Sequence, residues 1–374
     1  MVQIKEVETL KDLKAFIRFP HALYHKNPYW VPALFFDEYN TLRRDKNPAF
    51  EHCRAKYWLA YREGQIVGRV AAILNDKHFE KWNQRYLRFG WVDFVDDPAV
   101  SEALFKTVES WAVENRIEAV HGPLGFTDLD REGMLVEGFD ELGTLATIYN
   151  YPYYPEHMER MGYTKDIDWV EYEIPVPEGP VEKISRAAEI ALRRNHLKIL
   201  QIRSKKELLA YGDELFQLLD AEYQSLYGVV PLTEKQMKAY IQQYFGFVTP
   251  EFVPVVLDEH DKMVAFGVVM PSLSRALQKS KGRLFPFGFI HLLKALKKNE
   301  RADLYLIAVK SEYQGRGVNA ILMDHILKVF QKHGITKAET NPELETNLDV
   351  RGMWKLFDPR QHKRRRIFIK YLNE

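Results

Sequence analysis

The sequence has almost no cysteine, no long apolar run and no excess of charge of either sign. Cys53 is the single cysteine among 374 residues, which excludes an internal disulfide and a cysteine-rich zinc site. No stretch approaches the roughly 18 apolar residues of a membrane span, and the N-terminal segment lacks a signal-peptide core. With 53 basic and 52 acidic side chains the formal charge is +1, which argues against nucleic-acid binding. We therefore expect a cytoplasmic protein without a metal centre.

The composition is that of an ordinary globular protein, with 46% hydrophobic and 28% charged residues. The length suggests two domains. Three prolines and one glycine occur in residues 175–180, directly after the strand pattern WVEYEI and before a helical pattern. Because such a segment continues neither strand nor helix, we predict domains over residues 1–176 and 181–374.

The two halves share one order of predicted elements. A strand hairpin is predicted over 57–74 in the first half and over 252–270 in the second. Each hairpin is followed by a strand, a loop, an amphipathic helix and another strand. This order indicates a duplication, although two unrelated α/β domains could share it.

The strongest local signal is the segment 304–322, in which an apolar strand runs into a glycine-rich loop and then a helix. Glycine lets a backbone approach a ligand closely, and the first N–H groups of a helix have no intrahelical partner. With Arg316 nearby, this arrangement suits a pyrophosphate. A tight turn without function is the alternative. The loop lacks the Gly-Lys-Ser/Thr of a P-loop and the third glycine of a dinucleotide fingerprint.

Residues 309–319, VKSEYQGRGVN, resemble motif A of the GNAT (Gcn5-related N-acetyltransferase) superfamily. Gln314, Gly317 and Asn319 occupy its defining positions, and Asn319 departs from the usual small residue. Longer stretches, among them RFGWVDFVDD and AETNPELETNLDVRGMWKLF, resemble a bacterial family of tandem GNAT proteins. Some members of that family are ceramide synthases.

The resemblance implies an α/β (α+β) fold of two tandem GNAT-like domains, each with a mixed, mostly antiparallel central sheet flanked by helices. It also implies acyl-CoA as co-substrate. The pantetheine arm would lie along Ile307, Ala308 and Val309. Either Asn341 or Asn347 would orient water or a pantetheine amide, or cap the next helix. The pyrophosphate would bind the loop residues Gln314, Gly315, Arg316, Gly317, Val318 and Asn319.

The corresponding loop of the first half, residues 92–100, has no Gly-x-Gly and carries Asp96 and Asp97. Carboxylates suit a helix N-terminus as caps and repel a diphosphate. We therefore expect the N-terminal domain to bind no CoA. The turn-rich segment 121–139 is predicted to be a long loop that either folds over the cleft or lies on the surface.

N-acylation needs a group that takes the proton of the amine. By the resemblance, Glu339 is the first choice as base and Glu345 the second. For either residue the alternative is a solvated surface carboxylate. Trp354 stands near the position where many GNAT enzymes have a tyrosine acid, and we interpret it as part of the cleft wall.

Residues 285–298, FPFGFIHLLKALKK, combine aromatic side chains with an amphipathic run that ends in lysines, and residues 363–366 form a second basic cluster. The first segment either contacts a membrane surface or packs its apolar side on the core. Arg364–Arg366 either contact the 3′-phosphate of CoA or flank the last strand.

Together these observations predict an acyl-CoA-dependent N-acyltransferase that modifies a primary amine, such as a sphingoid base or another amphiphilic amine. A small-molecule N-acetyltransferase and a non-catalytic acyl-CoA-binding protein are the alternatives. Peripheral contact with the inner membrane face stays open.

Overall fold

The structure is a computed structural model that describes residues 1–347 and 352–372. Its strands are β1 (Gln3–Glu6), β2 (Cys53–Arg62), β3 (Gln65–Asn75), β4 (Tyr86–Phe94), β5 (Ala119–Gly122), β6 (Met134–Glu137), β7 (Thr164–Pro175), β8 (Lys198–Ile199), β9 (Val255–Leu257), β10 (Met263–Pro271), β11 (Arg301–Val309), β12 (Lys337–Thr340), β13 (Glu343–Leu344) and β14 (Arg360–Tyr371).

The α-helices are α1 (Leu10–Leu23), α2 (Phe35–Thr41), α3 (Asp76–Trp82), α4 (Pro98–Glu114), α5 (Tyr153–Arg160), α6 (Glu182–Arg194), α7 (Lys205–Ala210), α8 (Gly212–Tyr223), α9 (Glu234–Tyr244), α10 (Ser274–Ser280), α11 (Gly288–Lys297) and α12 (Val318–His333). Short 3-10 helices cover Pro48–Glu51, Pro250–Phe252, Ser311–Tyr313 and Trp354–Phe357. Among the described helices, none has the length and apolarity that crossing a membrane requires.

The described strands form one sheet of 14 strands. The order across it is β1-β2-β3-β4-β5-β14-β7-β12-β11-β10-β9-β8, with β6 beside β14 and β13 beside β7. Most pairings are antiparallel. β4–β5 and β11–β12 are parallel, and α4 and α12 connect the strands of these two pairs. The predicted fold class, mixed and mostly antiparallel sheets flanked by helices, is confirmed.

The two halves repeat each other in detail as well as in element order. In the first half, the pairing of β3 with β4 shifts register between Arg69 and Ala71. In the second half, the pairing of β10 with β11 shifts between Val268 and Val269, so that Tyr305 is the extra residue. Such a bulge bends a strand and unpairs part of its backbone. Its recurrence at matching strands supports the predicted duplication.

The last strand does not follow the order of the chain. β14 pairs with β5 on one side and with β7 on the other, and β7 in turn pairs with β12. Phe368 of β14 packs within the core of the first half. The division predicted at residues 176–181 stays a prediction, and residues 360–371 lie in the sheet between two strands of the first half.

Candidate active site

The N-terminus of α12 is open. Gly317 is its N-cap residue, with φ of 82°, and no side chain of the described residues caps the helix. Gly315 has φ of 70°, and a Cβ placed there would meet no atom within 4 Å. Residues 314–317 and Asn319 are exposed, while Val318 is buried. The amides of this loop are thus accessible to an anion, and its geometry fits a pyrophosphate.

Side chains around the loop hold its shape. Gln314 donates from Nε2 to the carbonyl of Val309 at 3.0 Å. The carboxylate of Glu222 accepts the N–H of Ser311 at 3.0 Å and the hydroxyl of the same residue at 2.6 Å. The Arg316 guanidinium lies 5.8 Å from the ring centre of Tyr313. Glu222 therefore occupies the Ser311 amide before the loop. The N–H groups of Gln314 and Arg316 donate to the carbonyls of Ser311 and Tyr313 at 3.2 and 3.4 Å. Among the described residues, the N–H groups of Gly315 and of 317–319 have no hydrogen-bond partner.

The equivalent helix of the first half is closed by its own side chains. Asp97 caps α4 by accepting the N–H of Ala99 at 2.9 Å and forms an ion pair with Arg62. Asp96 contacts His157 at 3.0 Å. That this half binds no CoA stays a prediction. Its two carboxylates lie at the start of α4, where the pyrophosphate of CoA would have to bind.

β11 separates from β12 beside the loop. Their pairing ends at Leu304 and Thr340, followed by one hydrogen bond from the Asn341 N–H to the Leu304 carbonyl. Ile307, Ala308 and Val309 still pair with β10 on the other edge. The edge of β11 that faces β12 is therefore free of strand pairing over the segment predicted to hold pantetheine.

A tyrosine that the sequence analysis did not single out lies at this edge. Tyr223, at the end of α8, donates its hydroxyl to the carbonyl of Ile307 at 3.0 Å. Burial raises the pKa of Tyr223 to about 12, so the hydroxyl keeps its proton at neutral pH. Because α8 and β11 are distant in sequence, local pattern carried no signal for this contact.

A cavity of about 470 Å³ adjoins the edge, a size typical of ligand pockets. It is mostly apolar and lies between the two halves. The apolar side chains in its wall include Leu34, Trp91, Leu129, Trp169, Phe216, Leu226, Val248, Leu304, Leu306, Ile326 and Trp354.

The charged side chains of the cavity wall are mainly acidic. Within residues 1–347 and 352–372, six carboxylates and one guanidinium, that of Arg131, line it. The carboxylates are Asp37, Glu38, Asp128, Asp130, Glu132 and Glu343. An apolar space with this charge balance favours a cationic group attached to an apolar body.

Three of the carboxylates come from the segment 128–132, within the predicted long loop. Burial raises the pKa of Asp128 to about 6 and that of Glu132 well above its ordinary value. Asp130 accepts the N–H groups of Phe126 at 2.8 Å and Thr127 at 3.2 Å, so it shapes the loop. Asp128 and Glu132 are the carboxylates of this loop best suited to exchange protons with a ligand.

Glu339 is not part of this wall. Its side chain forms a buried ion pair with Lys363 and lies 3.5 Å from His362. Burial opposes ionisation of Glu339, but the charge of Lys363 and the contacts with His362 outweigh it and lower its pKa to about 2. A carboxylate so placed is a poor base for an amine in the cavity.

Glu345 also lies outside the cavity wall. It forms ion pairs with Lys165 at 2.5 Å and with Arg364 at 3.1 Å. Arg366 is bound to Asp168, and Arg365 is buried against Glu171. These arginines connect β14 to its neighbours, an arrangement that favours the structural alternative over a phosphate contact.

Several predicted residues do meet at the cavity. Ile307, Asn347 and Trp354 line it, together with Asn341 and Glu343. Trp354 donates from Nε1 to Glu343 at 2.8 Å, as suits a wall residue. Ala308, Val309 and the loop 314–319 lie at the adjoining strand and helix, outside the wall.

Comparisons with known proteins agree with this geometry. Residues 212–357 match the model of the Acetyltransferase (GNAT) family. A tandem GNAT protein from the clavulanic acid biosynthesis pathway has the same fold, with a TM-score of 0.58 at 11% identity over 100% of this chain and 99% of that one. A GCN5-related N-acetyltransferase from Sphaerobacter thermophilus gives a TM-score of 0.51 at 11% identity, over 100% and 96% of the two chains.

The match over residues 212–357 identifies a GNAT domain in the second half, and the whole chain has the fold of a tandem GNAT protein. The GNAT family uses acyl-CoA as co-substrate. Protein YghO of Escherichia coli (strain K12) is 29% identical over 375 residues, 96% of this chain and 93% of that protein. Bacterial ceramide synthase of Caulobacter vibrioides (strain NA1000 / CB15N) is 28% identical over 389 residues, 98% and 96% of the two chains.

Proposed function

We propose that the protein transfers an acyl group from acyl-CoA to the primary amine of an amphiphilic acceptor, such as a sphingoid base. The observation that carries this proposal is the apolar cavity beside the free edge of β11, whose described wall residues include six carboxylates and one guanidinium. The name of the Caulobacter relative, a ceramide synthase, agrees with a lipid amine.

The donor would bind at the open end of α12. The amides of residues 314–319 would hold its pyrophosphate, and the pantetheine arm would run along Ile307, Ala308 and Val309. The segment of β11 that follows the bulge at Tyr305 does not pair with β12 and would lie near the thioester. The acyl chain would then enter the apolar part of the cavity.

The acceptor amine would bind as an ammonium ion beside Asp128 and Glu132. A carboxylate with a pKa near 6 accepts a proton more readily than one with an ordinary pKa. After one proton passes to Asp128, the nitrogen would form the C–N bond and the C–S bond would break. The second proton would end on the departing thiolate, and the Tyr223 hydroxyl, which lies at the edge of β11, would relay it.

Thiol release tests the proposal. Acetyl-CoA and palmitoyl-CoA are each combined with sphinganine and with ethanolamine. We expect palmitoyl-CoA with sphinganine to react at least about tenfold faster than the other pairs, since only this pair fills an apolar cavity. Faster reaction of acetyl-CoA with ethanolamine would indicate a small-molecule acetyltransferase, and CoA binding without thiol release a non-catalytic protein.

The variant Asp128→Asn tests whether Asp128 is the base. We expect it to lower kcat/KM at least about tenfold without loss of thermal stability, because burial already disfavours the charged carboxylate. Asp96→Asn serves as control, since that side chain is exposed and lies outside the cavity wall. Equal activity of both variants would exclude Asp128 as the base.

A further inference from the structure

A hairpin of two helices carries an unusual surface. Residues 274–298, called here the basic hairpin, comprise α10, a connecting segment and α11. They contain seven lysines and arginines and no aspartate or glutamate. None of the ion pairs within residues 1–347 and 352–372 involves these seven cations. The hairpin therefore presents positive charges that no ion pair in the described part of the chain neutralises.

The same hairpin exposes large apolar side chains. Phe285 is 78% exposed, Phe287 70% and Leu293 53%. Phe289 and Ile290 are exposed as well. These five residues form a cluster on the connecting segment and the first two turns of α11.

α11 has more apolar surface than its packing uses. Leu292 is buried, and Ala295 and Leu296 pack partly against the core of the second half. Phe289, Ile290 and Leu293 remain outside that contact. Packing on the core therefore explains only some of the apolar side chains of this segment.

The hairpin lies beside the cavity. The carbonyl of Gly282 accepts the N–H of Phe35 at 2.9 Å. A Cβ at Gly282 would lie 2.1 Å from the carbonyl oxygen of Ala33, so the two segments are in close backbone contact. Ala33 and Leu34 line the cavity, and Phe36, next along α2, is exposed.

From this arrangement we infer that the basic hairpin docks on the surface of a bilayer that contains anionic lipids. Exposed aromatic and aliphatic side chains enter the interface, and flanking lysines and arginines meet lipid phosphates. Charge complementarity favours this occupant over a neutral surface. The docking would place the cavity at the membrane surface, where an amphiphilic amine is found. This consequence rests on the proposed function.

Vesicle sedimentation tests the docking. The full chain is mixed with vesicles of phosphatidylcholine alone, or with one third of the lipid replaced by phosphatidylglycerol. We expect the chain to sediment with the anionic vesicles and to be released by salt, which screens surface charges. Absence of sedimentation with anionic vesicles at low salt would overturn the inference.

Two variants sharpen the test. The triple change Phe285→Ser, Phe287→Ser and Leu293→Ser should weaken vesicle binding at least about tenfold. Val113→Ser with Leu209→Ser removes exposed apolar side chains elsewhere and should leave binding unchanged. Equal binding by the triple variant, or a dimer of the native chain that this variant abolishes, would overturn the inference in favour of another contact.

Activity separates this inference from the proposed function. In buffer without vesicles and with a short-chain, monomeric amine, the triple variant should release thiol at the native rate, because its changes lie outside the cavity wall. Lost vesicle binding with native turnover therefore supports the docking. Vesicle binding by a native chain without turnover would contradict the proposed function alone.

Discussion

At the scale of single residues, the face of a strand decides the role of a side chain. Ala338 and Glu339 are neighbours on β12, but successive side chains of a strand point to opposite faces of the sheet. Ala338 lines the cavity, and Glu339 lies with Lys363 on the other side. The position of Glu339 in the chain was compatible with a catalytic base. The register of β12 between β7 and β11 favours a structural role instead.

Glu339→Gln should therefore destabilise the protein without removing activity. The change leaves Lys363 buried with a weaker partner, which we expect to cost about 3 kcal/mol of unfolding free energy. Glu345→Gln is the matched control, because its ion pairs are partly exposed and should contribute less than about 1 kcal/mol. Urea unfolding and kcat/KM are measured for both variants. Loss of kcat with unchanged stability would restore Glu339 as the base.

The difference in stability between the native protein and Glu339→Gln should depend on pH, because folding changes the pKa of Glu339. The value is lowered from an ordinary 4.5 to about 2 in the folded protein. The stabilisation is then fully present above the unfolded pKa and is lost as the pH falls from 4.5 towards 2. The native protein and Glu339→Gln should accordingly converge in stability at acidic pH.

At the scale of elements, α12 and α4 are equivalent helices of the two halves, and they differ in whether their N-terminus is open to a ligand. Both helices follow a bulged strand and connect two parallel strands. Asp97 caps α4 with its own carboxylate, whereas α12 begins at Gly317 without a side-chain cap. The glycine-rich loop could be predicted from the sequence because its glycines, the apolar strand before it and the helix after it lie within one short window.

Gly317→Leu should raise the KM for acyl-CoA. At φ of 82° a side chain costs about 1–2 kcal/mol, and its Cβ would lie 3.2 Å from Cβ of Ala191. We expect a rise in KM of at least about tenfold, since displaced amides bind a diphosphate poorly.

Gly334→Leu, at the other end of α12, is the control. Gly334 has φ of 69°, and a Cβ there meets no atom within 4 Å. This variant should lose similar stability with an unchanged KM. A native KM in Gly317→Leu would contradict the assignment of the loop to the pyrophosphate.

At the scale of the whole molecule, the two halves depend on each other through β14. This strand belongs to the end of the chain but lies between β5 and β7. Phe368 is fully buried in the core of the first half, and Phe330 is buried in that of the second. The cavity between the halves consequently has one wall from each.

Phe368→Ala should destabilise the first half, although Phe368 belongs to the last strand of the chain. We expect a loss of about 3–5 kcal/mol, as for other buried phenylalanines. Hydrogen exchange of peptides covering β4 and β5 should accelerate more than that of peptides covering β10 and β11. Phe330→Ala should produce the reverse pattern. Equal acceleration in both regions for both variants would mean that the halves unfold as one unit.

The amino-acid sequence by itself predicted the order of hairpin, strand, helix and strand in each half, the repeat of the two halves and the open loop before α12. Each depends on periodicity or on glycine within a short window. The sequence did not predict β6, which lies within the segment expected to be a long loop. Only the tertiary structure decided that β14 joins the first half, that Glu339 pairs with Lys363 and that Asp128, Glu132 and Tyr223 surround one cavity. These facts depend on contacts between residues far apart in the chain, whose register no local pattern encodes.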